Sequence, residues 1–137
     1  MFELVYCSTA RPNMKPEDIQ NILESARRFN FKNNITGCLL YHNDEFLQIL
    51  EGEKDVVQKL YASIKKDERH SAVMLLNEDE KKERFFPQWN MAFHKLDDSQ
   101  LIKNDFVNNF SAFSELTKKP THAVDLFWAV AKLILKN

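Results

Sequence analysis

The stretch EFLQILEG at residues 45–52 constrains the fold more than any other part of the sequence. Successive side chains of a β-strand point to opposite faces, and here Phe46, Leu47, Ile49 and Leu50 are apolar on both. This strand therefore requires burial on its two sides. Gln48 interrupts the apolar run, and a buried carboxamide without partners costs about 1–3 kcal/mol. The pattern predicts that Gln48 has a hydrogen-bonding partner, either in the protein or in a bound molecule.

The apolar patterns on either side of this strand predict two helices and further strands. Apolar residues recur at spacings of three and four in the helices, and Pro16 suits a first helical turn. The predicted order is strand 4–8, helix 16–30, strand 33–41, strand 45–52, helix 54–67, strand 71–77, a charged loop 78–84 and a short strand 88–93. This β-α-β-β-α-β order with a fifth strand predicts an α+β, ferredoxin-like fold with both helices on one face of the sheet.

The sequence changes character after residue 96. Two segments, 98–113 and 122–137, carry apolar residues at helical spacing and are separated by Pro120. We expect residues 1–96 to form the main domain and residues 97–137 to form a helical extension. The extension would cover the second face of the sheet, where Val5, Cys7, Leu47 and Ile49 would otherwise meet water. A role of the extension in signalling or dimer contacts is compatible with that packing.

Composition excludes several classes of protein. The chain has 137 residues, 44% of them hydrophobic, and a formal net charge of −1, which suits one domain without an electrostatic footprint for nucleic acid or an anionic membrane. No apolar run approaches the roughly 20 residues that span a bilayer, and the N-terminus does not read as a signal peptide. Cys7 and Cys38 lie in apolar segments without metal-ligand spacing, so we expect buried, reduced thiols in a cytoplasmic protein.

Tyr6 is the first candidate partner of Gln48. In the ferredoxin-like order the first and third strands are neighbours, so the two side chains can lie side by side. A phenol and a carboxamide satisfy each other, but the amide can make up to about four hydrogen bonds. This pair therefore leaves room for a polar guest.

Several side chains around this pair suit a flat aromatic ligand with carbonyl and imide edges. They comprise two aliphatic residues on the helices, one amide at the end of the first helix and two residues after the second: Ile22, Ile64, Asn30, Arg69 and His70. Each also has a plainer interpretation. A strand tyrosine is usually core, the asparagines 30, 33 and 34 suit a helix end, and an Arg-His pair suits a solvated turn.

The successive segments LVYCS, ARRFNFKNNITGCLLY, FLQILEGE, KDERH and FFPQWNMAF resemble the signatures of the BLUF domain, the blue-light sensor using flavin. They occur in that family's order and span residues 2 to 95. The resemblance implies a photoreceptor that binds a flavin non-covalently. The cofactor would be FAD, with FMN or riboflavin as alternatives. The short chain with a helical tail resembles the stand-alone members of the family.

The resemblance also implies a role for each matching residue. Tyr6 would donate an electron and a proton to the excited flavin, and Gln48 would be the switch that rearranges and strengthens hydrogen bonding to the flavin. Flavin contacts would come from Ile22, Asn30, Ile64, Arg69 and His70, and signal relay from Trp89 and Met91. Phe29 and Ser63 depart from some relatives, which carry a polar residue and an arginine there.

The resemblance implies a sensor without enzymatic activity that signals to an unidentified downstream protein. A homo-oligomer is compatible with it, and neither nucleic acid nor a membrane is expected. The main alternative is a flavin-binding or orphan ferredoxin-like interaction domain without a photocycle. An RNA-binding module would need a basic surface and stacking aromatics on an open sheet. The hypothesis of an acylphosphatase-like enzyme would rest on Arg11 alone as the anion-binding residue. A metal site is not indicated either, because the four histidines lack the spacing typical of metal ligands.

Overall fold

The structure is a computed structural model that describes residues 1–86, 92–95 and 121–136. The elements in chain order are β1 (Phe2–Ala10), α1 (Pro16–Lys32), β2 (Thr36–His42), β3 (Glu45–Gly52), α2 (Lys54–Lys66), β4 (His70–Glu80), β5 (Ala92–Lys95) and α3 (His122–Lys136). Helix α1 begins at Pro16, whose fixed φ suits a first helical turn, with two acidic residues behind it. Both helices of the main domain match the predicted segments to within two residues.

The five strands form one sheet in the order β4-β1-β3-β2-β5. Strand β3 pairs antiparallel with β1 and β2, β1 pairs antiparallel with β4, and β5 joins the edge of β2 in parallel. The predicted α+β, ferredoxin-like fold is confirmed, and the doubly apolar strand β3 lies at the centre of the sheet.

The first face of the sheet, which we call the cavity face, packs against α1 and α2. Leu4, Phe46 and Leu50 from the strands join Ile22 and Val57 from the helices in one buried apolar cluster. These strand residues are separated by even numbers of positions, so they share a face. The cluster fixes the two helices over the strands that carry Tyr6 and Gln48.

The second face, which we call the α3 face, packs against the C-terminal helix. Val5, Leu47 and Ile49 are buried in a second apolar cluster together with Val124 and Phe127 of α3. These strand positions have the opposite parity to those of the cavity face. The prediction that a C-terminal helix covers this face is therefore confirmed for α3. The other predicted helix, 98–113, and the predicted domain boundary after residue 96 lie outside the described residues.

Two predictions about individual segments need correction, and a third lies partly outside the described residues. The predicted charged loop 78–84 is wrong in its first part, because β4 continues to Glu80 and pairs with β1 as far as Phe2. An edge strand tolerates charged side chains because its backbone still pairs on one side. Cys7 is only half-buried, since it lies at the rim of the cluster on the α3 face. The fifth strand is Ala92–Lys95, and Trp89 and Met91 lie outside the described residues.

Candidate functional site

A cavity of about 310 Å³ lies between the sheet and the helices α1 and α2. Ligand pockets in proteins begin at roughly this volume. Its lining brings together all seven residues that the sequence assigned to flavin contacts: Tyr6, Ile22, Asn30, Gln48, Ile64, Arg69 and His70. Their role as flavin contacts remains a prediction, but the fold places them around one space.

The floor of the cavity is formed by Tyr6 of β1 and Gln48 of β3, which are directly opposite in the strand register. The Tyr6 hydroxyl donates a hydrogen bond to Oε1 of Gln48, and both side chains are buried. Burial raises the pKa of Tyr6 well above its usual range, because a phenolate would lose its hydration there. Tyr6 therefore holds its proton at neutral pH and presents it to Gln48.

One of the three asparagines near the end of α1 reaches the cavity. Asn30 is fully buried and lines it, while its backbone carbonyl accepts hydrogen bonds from the backbone of Asn33 and Ile35. Asn33 ends the helix and donates from its side chain to the carbonyl of Phe29 at 2.8 Å. Asn34 has φ 54°, a left-handed conformation that asparagine tolerates. The plainer interpretation as helix-end residues is therefore right for Asn33 and Asn34.

Asp67 and Arg69 form an ion pair at the mouth of the cavity, between α2 and β4. Nε of Arg69 lies 3.0 and 3.1 Å from the two carboxylate oxygens of Asp67, and a terminal nitrogen lies 2.6 Å from Oδ2. The hydrogen bonds from Arg69 lower the pKa of Asp67, and the same bonds raise the pKa of Arg69. The guanidinium is thereby fixed at the cavity wall with its charge shared with a carboxylate.

His70 follows this pair at the start of β4. Its Nδ1 lies 2.9 Å from Oγ of Ser8, and its ring centroid lies 4.8 Å from that of Phe46. Burial lowers the pKa of His70, because the imidazolium would lose hydration. The side chain is therefore a neutral imidazole at neutral pH.

Phe29 and Ser63, which the resemblance singled out as departures from some relatives, also line the cavity. Sequence reasoning missed the other lining residues, although simple periodicity places several of them there. Ser25, Ala26 and Phe29 follow Ile22 by three, four and seven positions, so they share its helix face. Leu60 precedes Ile64 by four positions for the same reason. Leu39 pairs directly with Gln48 in the register of β2 and β3, and Ser63 and Asp67 complete the lining.

The residues that line this cavity fit a flavin. Its helix walls carry the aliphatic side chains of Ile22, Leu60 and Ile64, which suit a flat ring system. Asn30 and Gln48 are buried polar residues in the same lining, as the carbonyl and imide edges of a ring need. Within the described ranges, no group of three or more His, Cys, Asp and Glu side chains is arranged to hold a metal ion. No helix in that part of the chain is long and apolar enough to cross a membrane.

Comparison with known proteins places the chain in a family. Residues 1–92 match the BLUF model, described as sensors of blue-light using FAD, so the chain belongs to the BLUF family. It is 39% identical over 90 residues to photoactivated adenylate cyclase subunit beta of Euglena gracilis, which covers 65% of this chain and 10% of that protein. The chain thus spans about a tenth of the length of the first curated relatives it matches.

Several solved structures match nearly the whole chain, BlsA and BlrB among them. The photo-activated state of BlsA is 29% identical with a TM-score of 0.71, covering 98% of this chain and 94% of that one. BlrB, described as a BLUF protein in its dark state, is 25% identical with a TM-score of 0.71, covering 96% of both chains. The BLUF domain is a flavin-binding blue-light sensor, and the recognition drawn from the sequence motifs is confirmed.

Proposed function

We propose that this chain is a blue-light photoreceptor that binds a flavin non-covalently in the cavity and switches through Tyr6 and Gln48. The observation that carries the proposal is the buried hydrogen bond from Tyr6 to Gln48 at the floor of a cavity of about 310 Å³. The family match supports FAD as the flavin, with FMN and riboflavin as alternatives that share the same ring.

The cavity residues would bind and orient the ring. Ile22 and Ile64 would contact its two faces from α1 and α2, and Asn30 would meet its carbonyl and imide edge at the buried end. Arg69 and His70 would lie near the part of the flavin that points to the mouth of the cavity. Because Asp67 shares the charge of Arg69, we expect this cation to orient the ligand more than to attract its phosphates.

A bound flavin supplies absorption of blue light and, once excited, a strong electron acceptor. Tyr6 is placed to give up an electron, because its ring forms the cavity floor. The oxidised phenol is strongly acidic, so its proton passes from Oη to Oε1 of Gln48, the atom that already accepts its hydrogen bond.

Gln48 is suited to retain a structural change after Tyr6 has given up its electron and proton. The two ends of its carboxamide differ as donor and acceptor, so rotation or tautomerisation changes which groups it bonds. Return of the electron from the flavin and of the proton from Gln48 would restore Tyr6, whereas the rearranged amide would remain. A stronger hydrogen bond to the ring carbonyl would then shift flavin absorption to longer wavelength.

The output of this switch would be a changed interaction with another protein. We propose that residues 1–96 sense light and that Trp89 and Met91 relay the signal. Residues 97–137 would then carry the signal to the partner protein. The chain would act as a sensor without enzymatic activity. Fusion of BLUF sequence to a cyclase in the Euglena relatives supports a sensory role that depends on an effector.

The proposal is tested by absorption spectroscopy of the full chain reconstituted with FAD, before and after a blue pulse. We expect a reversible red shift in the wild type, none in Tyr6→Phe, and normal behaviour in Tyr41→Phe. Tyr41 is a matched control because its hydroxyl bonds to Asp44 at 3.1 Å, away from the cavity.

Three other results would contradict the proposal in different ways. A red shift that survives in Tyr6→Phe would remove Tyr6 from the photochemistry. Flavin that binds but only bleaches would leave a flavin-binding domain without a photocycle. Failure of FAD, FMN and riboflavin to bind would leave an interaction domain with the same fold.

A further inference from the structure

A second buried polar cluster lies on the α3 face of the sheet, and the photochemistry does not use it. We call it the carboxylate latch: Glu3 of β1, Glu51 of β3, Lys81 after β4 and Thr121 before α3. Both carboxylates are fully buried, and the Lys81 side chain is 5% exposed. Nζ of Lys81 lies 3.3 Å from Oε2 of Glu3 and contacts Oε2 of Glu51, so one cation joins two strands.

The Glu51 carboxylate also positions the segment that follows β4. It accepts hydrogen bonds from the backbone N–H groups of Phe85 at 2.6 Å and Phe86 at 2.7 Å, and from the hydroxyl of Thr36 at 2.9 Å. The ring centroids of Phe85 and Phe86 lie 6.4 and 6.3 Å, respectively, from the ring centroid of Trp128 on α3. Glu51 therefore contributes to the surface against which α3 packs.

Thr121 attaches the beginning of α3 to the same cluster. Its hydroxyl accepts from the backbone N–H of Val124 at 3.3 Å, as an N-cap does, and donates to Oε1 of Glu3. A hydroxyl has one donor and two acceptor sites, so it can serve both partners at once. The first turn of α3 is thus bonded directly to β1.

The latch and the photoactive pair are carried by the same two strands. Glu3 is paired with Glu51 in the register of β1 and β3, and Tyr6 is paired with Gln48 three residues further along. An odd separation places the two pairs on opposite faces of the sheet. We infer that the latch couples the Tyr6–Gln48 pair to α3, so that light loosens the attachment of the first turn of that helix.

The coupling has a direct physical cause. Rearrangement of Gln48 changes the side-chain bond that joins β1 to β3, and a small change in the spacing or twist of these strands reaches the paired carboxylates. Lys81 lies between them in a buried environment, where interactions between charges are strong and an imperfect geometry is costly. This inference rests on the proposed function, because it takes the light-driven change at Gln48 as its input.

The test is hydrogen exchange of peptides covering residues 121–134, in the full chain reconstituted with FAD, in darkness and under continuous blue light. Absorption of the same samples records the red shift. We expect exchange in wild-type α3 to be about fivefold faster in light, a typical lower value for coupled sites. In Thr121→Val, which keeps the shape but loses both hydrogen bonds, exchange should be fast in both conditions. Thr121→Ser keeps the hydroxyl and should behave as the wild type.

Several outcomes would overturn the coupling. A normal red shift with equal α3 exchange in darkness and light would overturn it and leave the proposed function intact. A full light-dark difference in Thr121→Val would also overturn it. Absence of any red shift would overturn both proposals. If Thr121→Val does not fold, Glu3→Gln replaces it, because it removes the attraction to Lys81 while its Oε1 can still accept from Thr121. In Glu3→Gln, the difference in α3 hydrogen exchange between light and darkness should be smaller than in the wild type.

Discussion

On the cavity face of the sheet, Tyr6 and Gln48 are bonded to each other beside an open space of about 310 Å³. On the α3 face, Val5 and Ile49, each one residue away, are packed in a closed cluster with Phe127. The same two strands thus carry a polar pair beside a space for a ligand on one side and a filled apolar core on the other. Strand β3 therefore contributes to both folding and function through the alternation of its side chains.

The two faces should respond differently to substitution. Changes on the α3 face should act on the free energy of unfolding, because that face consists of filled packing and a buried ionic cluster. Changes on the cavity face should act mainly on ligand affinity and on the light response, with smaller effects on the free energy of unfolding.

The largest loss of stability is expected from Glu51→Ala. The substitution leaves Lys81 with only Glu3 and removes the acceptor of the Phe85 and Phe86 N–H groups. Breaking a buried pair in this way costs about 3–5 kcal/mol. Urea unfolding measures the loss, and Glu53→Ala, at an exposed position two residues away, should change stability by less than about 0.5 kcal/mol. Equal effects at the two positions would show that the buried cluster contributes no special stability.

The next effect concerns the cavity. Ala26 of α1 lines the cavity, so Ala26→Trp places an indole in the space that we propose holds the flavin. Overfilling a packed site costs roughly 1–3 kcal/mol, which corresponds to a loss of about 5- to 150-fold in FAD affinity. Fluorescence titration of the apoprotein measures it. The control Ala62→Trp adds the same bulk at an exposed position of α2. Undiminished affinity in Ala26→Trp would mean that flavin binds elsewhere.

A smaller effect, of opposite sign, is expected at Ala72, an exposed residue of β4. Ala72 has φ 48° within an irregularity of β4, and this left-handed conformation costs an L-residue roughly 1–2 kcal/mol. Ala72→Gly should therefore raise stability by about 0.5–1 kcal/mol after the entropy cost of glycine. The same substitution at Ala62, inside a helix, should lower stability by about 0.5–1 kcal/mol. A loss at both positions in chemical denaturation would exclude strain at Ala72.

The smallest effect is the pH dependence contributed by His70. Its pKa is lower in the folded protein than in the unfolded chain, so the unfolded chain binds more protons as the pH falls. Stability should therefore decrease as the pH falls below about 6.5, the ordinary pKa of histidine. Unfolding of wild type and His70→Gln at several pH values should show a weaker dependence in the variant. At still lower pH, protonation of Asp67 removes its hydrogen bonds with Arg69 and adds a second loss.

The sequence predicts the elements of the fold and the central pair well, for reasons that are local. Alternation along β1 and β3, with the strand order of the fold class, is sufficient to place Tyr6 opposite Gln48. Helix periodicity from Ile22 would also have found Ala26 and Phe29.

The ionic cluster was not predictable in the same way. It joins Glu3, Glu51, Lys81 and Thr121, which are separated by up to 118 positions in the chain. Nothing in the local sequence distinguishes these residues from solvated charges, because their burial depends on how the whole chain packs. The extension of β4 to Glu80 was missed because backbone pairing with β1 outweighs the polarity of the side chains.

The most direct test of the central claim is the light-minus-dark absorption spectrum of wild type and Gln48→Leu, both loaded with FAD. Leucine has nearly the same volume but no hydrogen-bonding groups, so it should still fold and bind the flavin. We expect a reversible shift to longer wavelength in the wild type and none in the variant. A reversible red shift of full size in Gln48→Leu would contradict the assignment of Gln48 as the switch.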